Sequence, residues 1–209
     1  AGKSTLVDKL REKYPDLVFK TRDDILSSNR VARRINTLFQ FSLNLAGYKH
    51  KSEDPLYGYI NEYPDSGRYF DVRLIDLFRK LRIRNYNSSI LILEEGPVQY
   101  LSSIPFDCQV KKSDNLISSL KLLKDIDIVL VVCNCSIQTS IERIRSRTKA
   151  SDRYSGKTDK DLFNLLKIKA DNLEAIIQES GLQRYDIDME KSLDTNVDFL
   201  YHIVSEVKQ

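Results

Sequence analysis

Apolar residues recur along the chain at the spacing of an amphipathic helix. Leu6, Val7 and Leu10 share one face of a short segment that follows Ser4 and stops before Pro15, and this pattern predicts the first helix. The same periodicity predicts further helices with polar and charged residues on their outer faces. They are expected at about residues 24–46, 68–85, 114–124, 136–147, 162–176 and 197–207.

Segments between these helices predict strands, at residues 16–20, 90–93, 127–134 and 183–189. Strands that are apolar throughout and alternate with helices are typical of a parallel sheet covered on both faces. Because no shift in composition divides the chain, residues 1–209 are predicted to form one α/β domain. Two segments differ from this pattern. Residues 47–67, rich in Tyr, Pro, Gly and charge, are expected to form an inserted loop, and residues 147–158 are polar and basic.

Composition narrows the class of protein. The 209 residues are 41% hydrophobic and 30% charged, and 33 Lys+Arg against 30 Asp+Glu leave a net charge of +3, too balanced for a nucleic-acid coat. The three cysteines form an odd set without framework spacing, which favours the reducing cytoplasm. The longest apolar run, Ile128 to Cys133, is too short to span a bilayer. A secreted disulfide scaffold, a membrane protein and a disordered tail are therefore excluded.

The run Gly2-Lys3-Ser4-Thr5 at the start of the first helix matches the second half of the phosphate-binding loop G-x-x-x-x-G-K-[ST]. In such a loop Gly lets the backbone approach phosphate, Lys reaches the β- and γ-phosphates, and the Ser hydroxyl binds Mg²⁺. A Ser-capped helix is the alternative interpretation of these four residues. The chain begins inside the motif, so the first strand and the first half of the loop are expected to lie outside it.

Acidic pairs follow two of the predicted strands. Glu94 and Glu95 come directly after a buried strand, where ligands of open parallel sheets bind, and suit Mg²⁺ or a substrate proton. A solvated strand end with a turn at Gly96-Pro97 is the alternative. Asp23 and Asp24, preceded by Arg22, form a similar pair, and they could equally complement a helix dipole.

Arginines lead from a predicted helix into the polar segment 147–158. Arg143 and Arg147 lie four residues apart, and Arg153 follows in the segment itself. A basic helix end often only complements the helix dipole. The spacing also allows these arginines to fold over phosphates as a lid, and arginines that neutralise charge in phosphoryl transfer can raise the rate on the order of 10³-fold.

Taken together, the motif at residues 2–5, the strand end Leu93-Glu94-Glu95-Gly96 and the block LVVCNCSIQTSIERIRSRTKASDR resemble P-loop small-molecule kinases, especially the thymidylate kinase and deoxynucleoside kinase group. The resemblance implies a three-layer α/β/α fold (the P-loop NTPase fold) with MgATP as donor. It implies a nucleotide site at Ala1 to Thr5, Mg²⁺ at Ser4 and Glu94, and catalytic roles for a set of residues. These are Lys3, Glu94, Glu95, Arg143, Arg147 and Arg153.

The chain departs from this group after the second apolar strand. Thymidylate kinases carry Asp-Arg there and deoxynucleoside kinases Glu-Arg-Ser, so the substrate-clamping arginine is missing beside Glu95. Arg22 with Asp23, or a basic residue of the helix at 68–84, is a candidate replacement. The segment 47–67 is expected on the substrate side.

The sequence thus predicts a cytoplasmic, ATP-dependent kinase for a small-molecule acceptor such as a nucleoside, a nucleotide or a similar metabolite. Three alternatives stay open: an ATP-binding or hydrolysing module without kinase activity, a polynucleotide end kinase, and a non-catalytic remnant. Switch GTPases usually carry an Asn-Lys-x-Asp motif that reads the base. The chain contains no such run, so a switch GTPase is not favoured. Membrane binding is not expected, and a homodimer is left open.

Overall fold

The computed structural model describes residues 2–21, 55–63, 90–105, 108–124, 128–146, 154 and 156–207. They form seven helices and four strands. The helices are α1 (Lys3–Lys13), α2 (Pro55–Asn61), α3 (Pro97–Ser103), α4 (Asp114–Lys124), α5 (Ile137–Arg145), α6 (Asp159–Ser180) and α7 (Leu193–Val207). The strands are β1 (Phe19–Thr21), β2 (Ile90–Ile92), β3 (Val129–Asn134) and β4 (Gln183–Asp188).

All strand pairing among these residues is parallel. β1 pairs with β2, with Phe19 opposite Ile90. β3 pairs with β4 over six residues, up to Asn134 opposite Asp188. Paired parallel strands end on the same side, so the carboxyl ends within each pair lie together. The prediction of an α/β fold with parallel strands is confirmed.

Strand β3 lies between two hydrophobic cores because its side chains alternate in direction. Leu130 and Val132 pack against the first core, which is built from buried residues of α2, α3, α4 and α6. Val131 and Cys133 pack against the second core, where α1 and α7 meet residues of all four strands. Helices therefore cover both faces of β3, as expected for a strand of almost entirely apolar sequence, whereas β4 has the largely polar sequence QRYDID.

The structure corrects three local expectations. Residues 47–67 were expected to form a loop, but Pro55–Asn61 form α2, because Leu56, Tyr59 and Ile60 are buried in the first core. Gly96-Pro97 does not only turn the chain, since Pro97 begins α3, a position that proline favours. The strand expected at 16–20 is Phe19–Thr21, and Val18 is 69% exposed.

Other expectations fall on residues outside the described ranges. These include the helices expected at 24–46 and 68–85. The division into one domain with a substrate-side insertion at 47–67 and a lid at 147–158 stays a prediction. In the described part of the chain, no helix combines the length and the apolar character needed to cross a membrane.

Candidate functional site

The start of α1 depends on a glycine. Gly2 has φ +95°, in the left-handed region that disfavours residues with a Cβ. A Cβ at this position would lie 3.2 Å from Cε of Met189, in the segment between β4 and α7. The first residue of the helix motif therefore packs closely against the chain that follows β4.

The first N–H groups of α1 are left open by the helix itself. The amide of Leu6 is the first to donate within the helix, to the Gly2 carbonyl at 3.0 Å. The amides of Lys3, Ser4 and Thr5 precede it and have no acceptor inside the helix. Gly2, at the N-cap position, has no side chain that could cap this end, and the first turn contains no acidic residue. The positive end of the helix dipole thus remains available to an anion.

Ser4 is joined to the end of the second strand. Its hydroxyl donates a hydrogen bond to Oε2 of Glu94, which lies two residues beyond β2. The two residues are ninety positions apart in the chain, so only the fold brings them together. The structure places the predicted phosphate-loop serine against the predicted acidic strand end.

The neighbouring carboxylate is held elsewhere. Oε2 of Glu95 accepts a hydrogen bond of 3.1 Å from the hydroxyl of Tyr100, a residue of α3 that is 6% exposed. Glu94 and Glu95 therefore have different partners, one on α1 and one on α3.

Lys3 lies near the end of the third strand. Burial raises the pKa of the Cys133 thiol, and the charge of Lys3 acts in the opposite direction because it lies within electrostatic reach. Cys133 is the last residue but one of β3. The start of α1 therefore contacts the chain just beyond β2 and β4, through Glu94 and Met189, and the charge of Lys3 lies within electrostatic reach of Cys133 in β3.

Arg143 of α5 contacts the segment that follows β4. Its Nη2 donates to the Met189 carbonyl at 3.0 Å, and its Nη1 is buried without a hydrogen-bond partner among the described residues. The Met189 amide in turn donates to the Asn134 carbonyl at 2.7 Å. The segment after β4 is thus fixed between β3 and α5.

Glu190 is a site neighbour that sequence reasoning missed. Its carboxylate accepts from the Ser136 amide and the Thr139 hydroxyl, both at 2.9 Å, and so closes the start of α5. The Ser136 amide and then the two hydroxyls hold the pKa of Glu190 below its ordinary value. Ser136 was visible as a helix start, but its partner fifty-four residues away was not.

Apart from Glu95, whose side chain is bound by Tyr100, the sequence-predicted site residues fall into three groups. The structure brings Gly2, Lys3, Ser4 and Glu94 together and ties Arg143 to them through Met189. Thr5 lies exposed in the first turn of α1. The remaining predicted residues lie outside the described ranges: Ala1, Arg22, Asp23, Arg147 and Arg153.

The donor set at Ser4 and Glu94 suits one hard cation. No group of three His, Cys, Asp or Glu side chains in the described ranges could enclose a metal ion. Mg²⁺ needs no such cage, since it usually keeps several waters and binds one or two carboxylates plus phosphate oxygens. A serine hydroxyl beside one carboxylate is consistent with this coordination preference of Mg²⁺.

Comparisons with known proteins add one distant similarity. No protein-family model and no curated protein matches the chain. Among solved structures, it is similar to a deoxyadenosine kinase from M. mycoides, described with the products dCMP and a flexible dCDP bound. The TM-score is 0.49 and the identity 13%, over 98% of this chain and 94% of that chain.

Proposed function

We propose that the chain is an ATP-dependent phosphotransferase, a kinase that acts on a small-molecule acceptor. The observation that carries the proposal is the hydrogen bond between Ser4 and Glu94 at the open start of α1. A Gly-Lys-Ser run alone is a weak motif. Its meeting with a carboxylate at the end of a parallel strand is what a site for Mg²⁺ and a triphosphate requires.

The residues at this site fit both the triphosphate of ATP and Mg²⁺. The open amides of Lys3, Ser4 and Thr5 would hold phosphate oxygens, and Gly2 leaves room where a Cβ would crowd Met189. Ser4 and Glu94 would hold Mg²⁺. When bound, MgATP supplies the phosphoryl group, and the cation neutralises part of its charge.

The remaining roles follow from charge and position. Lys3, the first residue of α1, would offset charge on the terminal phosphates. Arg143 would present its guanidinium from the side of Met189. Glu95 would face the acceptor, because Glu94 is already turned toward Ser4. Arg147 and Arg153 are proposed to complete the lid.

The acceptor is proposed to be a nucleoside, a nucleotide or a similar metabolite, with Arg22 and Asp23 as binding residues. This part of the proposal rests on the sequence resemblance alone.

The test is an acceptor screen. The protein is incubated with MgATP and with separate panels of nucleosides, nucleotides and sugars, and ADP release is recorded. We expect release that depends on one acceptor class. Release without any acceptor would instead identify a hydrolase.

The salt dependence of the KM for the acceptor distinguishes a polynucleotide end kinase from a small-molecule kinase. If a strand end were the acceptor, its KM would rise steeply with ionic strength, because phosphate contacts release counterions. For a small acceptor we expect only a modest change between 50 and 200 mM salt. No ADP release under any condition would overturn the proposal.

A further inference from the structure

The carboxylate proposed to face the acceptor is held by a buried tyrosine. Glu95 itself is exposed, whereas Tyr100 is 6% exposed and its ring belongs to the first core. An exposed glutamate normally samples several rotamers, and fixing it has an entropic cost. Here the Tyr100 hydroxyl, 3.1 Å from Oε2, selects one arrangement.

Tyr100 fixes the acidic segment at two points. Its amide donates to the Gly96 carbonyl at 3.1 Å, next to Glu95 in the chain, while its hydroxyl reaches the Glu95 side chain. Both bonds start from a residue whose ring is packed in the core, so backbone and carboxylate are positioned together. Among the described hydrogen bonds only Oε2 of Glu95 is used, which leaves Oε1 to accept from a ligand.

We propose that Tyr100 is a positioning residue that holds Glu95 toward the phosphoryl acceptor. The inference rests on the proposed kinase function and adds a residue to it. A hydrogen bond to an ionised group is among the stronger ones in proteins. Its loss would leave Glu95 free to turn into solvent, without removing any group that binds ATP.

The experiment compares two buried tyrosines. Tyr100→Phe keeps the ring and removes the hydroxyl, and Tyr59→Phe does the same at a tyrosine of the same core whose hydroxyl donates to the Leu101 carbonyl at 3.3 Å. We expect Tyr100→Phe to lower kcat about tenfold, with the KM for ATP changed less than about twofold. Tyr59→Phe should change neither constant beyond twofold.

A double-variant cycle then tests whether Tyr100 acts through Glu95. In a Glu95→Gln background, Tyr100→Phe should cause no further loss, because the carboxylate it positions is gone. A full additional tenfold loss in that background would overturn the positioning role, as would an equal loss in Tyr59→Phe.

Melting temperatures of all variants show whether each is folded. If the wild-type protein shows acceptor-dependent turnover and Tyr100→Phe leaves that turnover unchanged, the positioning role alone is overturned. Absence of acceptor-dependent turnover in the wild-type protein overturns the kinase proposal, and the positioning role with it.

Discussion

Helices α1 and α6 begin in opposite ways. At α6 the Thr158 hydroxyl accepts from the Asp161 amide at 3.2 Å, and the Asp161 carboxylate accepts from the Thr158 amide at 3.1 Å. This reciprocal capping box satisfies two donors that a helix start leaves open. Helix α1 starts at Gly2, which has no side chain to cap with, and its first turn has no acid.

The difference follows from where each helix starts. The residues that cap α6 are exposed, and the helix satisfies its own amides from its own sequence. The start of α1 lies against Glu94 and Met189, at the carboxyl ends of two strands. An uncapped helix start in that location is suited to an anion supplied from outside the chain. The comparison therefore predicts that the start of α1 serves to bind a ligand, whereas the start of α6 serves to stabilise the fold.

Removing the cation at the open start should have the largest effect. We expect Lys3→Ala to lower turnover at least about a hundredfold, because a fixed charge at the transferring group is lost. The melting temperature should stay within a few degrees. Steady-state kinetics measure turnover, and calorimetry measures the melting temperature.

Lys9→Ala is the matched control for Lys3→Ala. Lys9 is in the same helix but pairs with Glu12 at 2.7 Å on the surface. Exposed pairs of this kind contribute little, so neither rate nor stability should change much. Equal rates for wild type and Lys3→Ala would end the phosphate-loop interpretation.

Glu94 and Glu95 should respond differently to Mg²⁺. Glu94→Gln should raise the Mg²⁺ concentration for half-maximal rate about tenfold, because it weakens a cation ligand. Glu95→Gln should lower kcat about tenfold or more even at saturating Mg²⁺, because Glu95 faces the acceptor. Rates measured across a Mg²⁺ series distinguish the two. If neither variant slows turnover tenfold, the pair is only a strand end.

Two arginines of α5 sharpen the contrast between the helix starts. Arg143 donates to Met189 beside α1, whereas Arg145 donates to Asp159 and to the Lys157 carbonyl at the start of α6. We expect Arg143→Lys to reduce kcat about tenfold with a smaller loss of ATP affinity, since lysine lacks the forked donors. Arg145→Lys should leave kcat within twofold. A proportional loss of rate and ATP affinity in Arg143→Lys would make Arg143 a ground-state binder.

Local periodicity was sufficient to predict most helices. The helix predicted at 114–124 is Asp114–Lys124, because Leu116, Leu120 and Leu123 recur on one buried face. Helix α2 was missed because it has only seven residues, and its buried Leu56, Tyr59 and Ile60 give a single helical turn of the apolar pattern within a segment rich in Pro, Gly and charge. The first core stabilises this helix, which packs so closely on α4 that a Cβ at Gly58 would lie 2.4 Å from Oδ1 of Asn115. Periodicity does not record such contacts between distant helices.

The candidate site was predictable only where side-chain chemistry marks it. Lys3, Ser4 and Glu94 could be chosen because a motif and a strand end single them out. Met189 contributes its carbonyl to Arg143 and its methyl group beside Gly2, and any residue type has a carbonyl. Glu190 acts through hydrogen bonds to residues more than fifty positions away, and the Tyr100 hydroxyl reaches Glu95 across the turn that begins α3, so no motif in the sequence marks either residue.

The smallest expected effect tests the closed helix start. Thr158→Ala should lower the melting temperature by about 2–4 °C, because it removes one side of the capping box. Turnover should not change, since the described hydrogen bonds of Thr158 all stay within the first turn of α6. Thr158→Ser, which keeps the hydroxyl, should melt like the wild type. A rate loss in Thr158→Ala with an unchanged melting temperature would reverse the assignment of the two helices.

The difference in melting temperature between wild type and Thr158→Ala should change with pH in one direction. The Thr158 hydroxyl and then its amide hold the pKa of Asp161 below its ordinary value of 3.8. A lowered pKa contributes stability that is present above the ordinary value and is lost as the pH falls through the folded value. The gap in melting temperature between wild type and Thr158→Ala should therefore be constant near neutral pH and should narrow as the pH falls below about 3.8. A gap that widens in acid would mean that the cap acts on the neutral carboxyl, which contradicts a carboxylate that accepts both Thr158 hydrogen bonds.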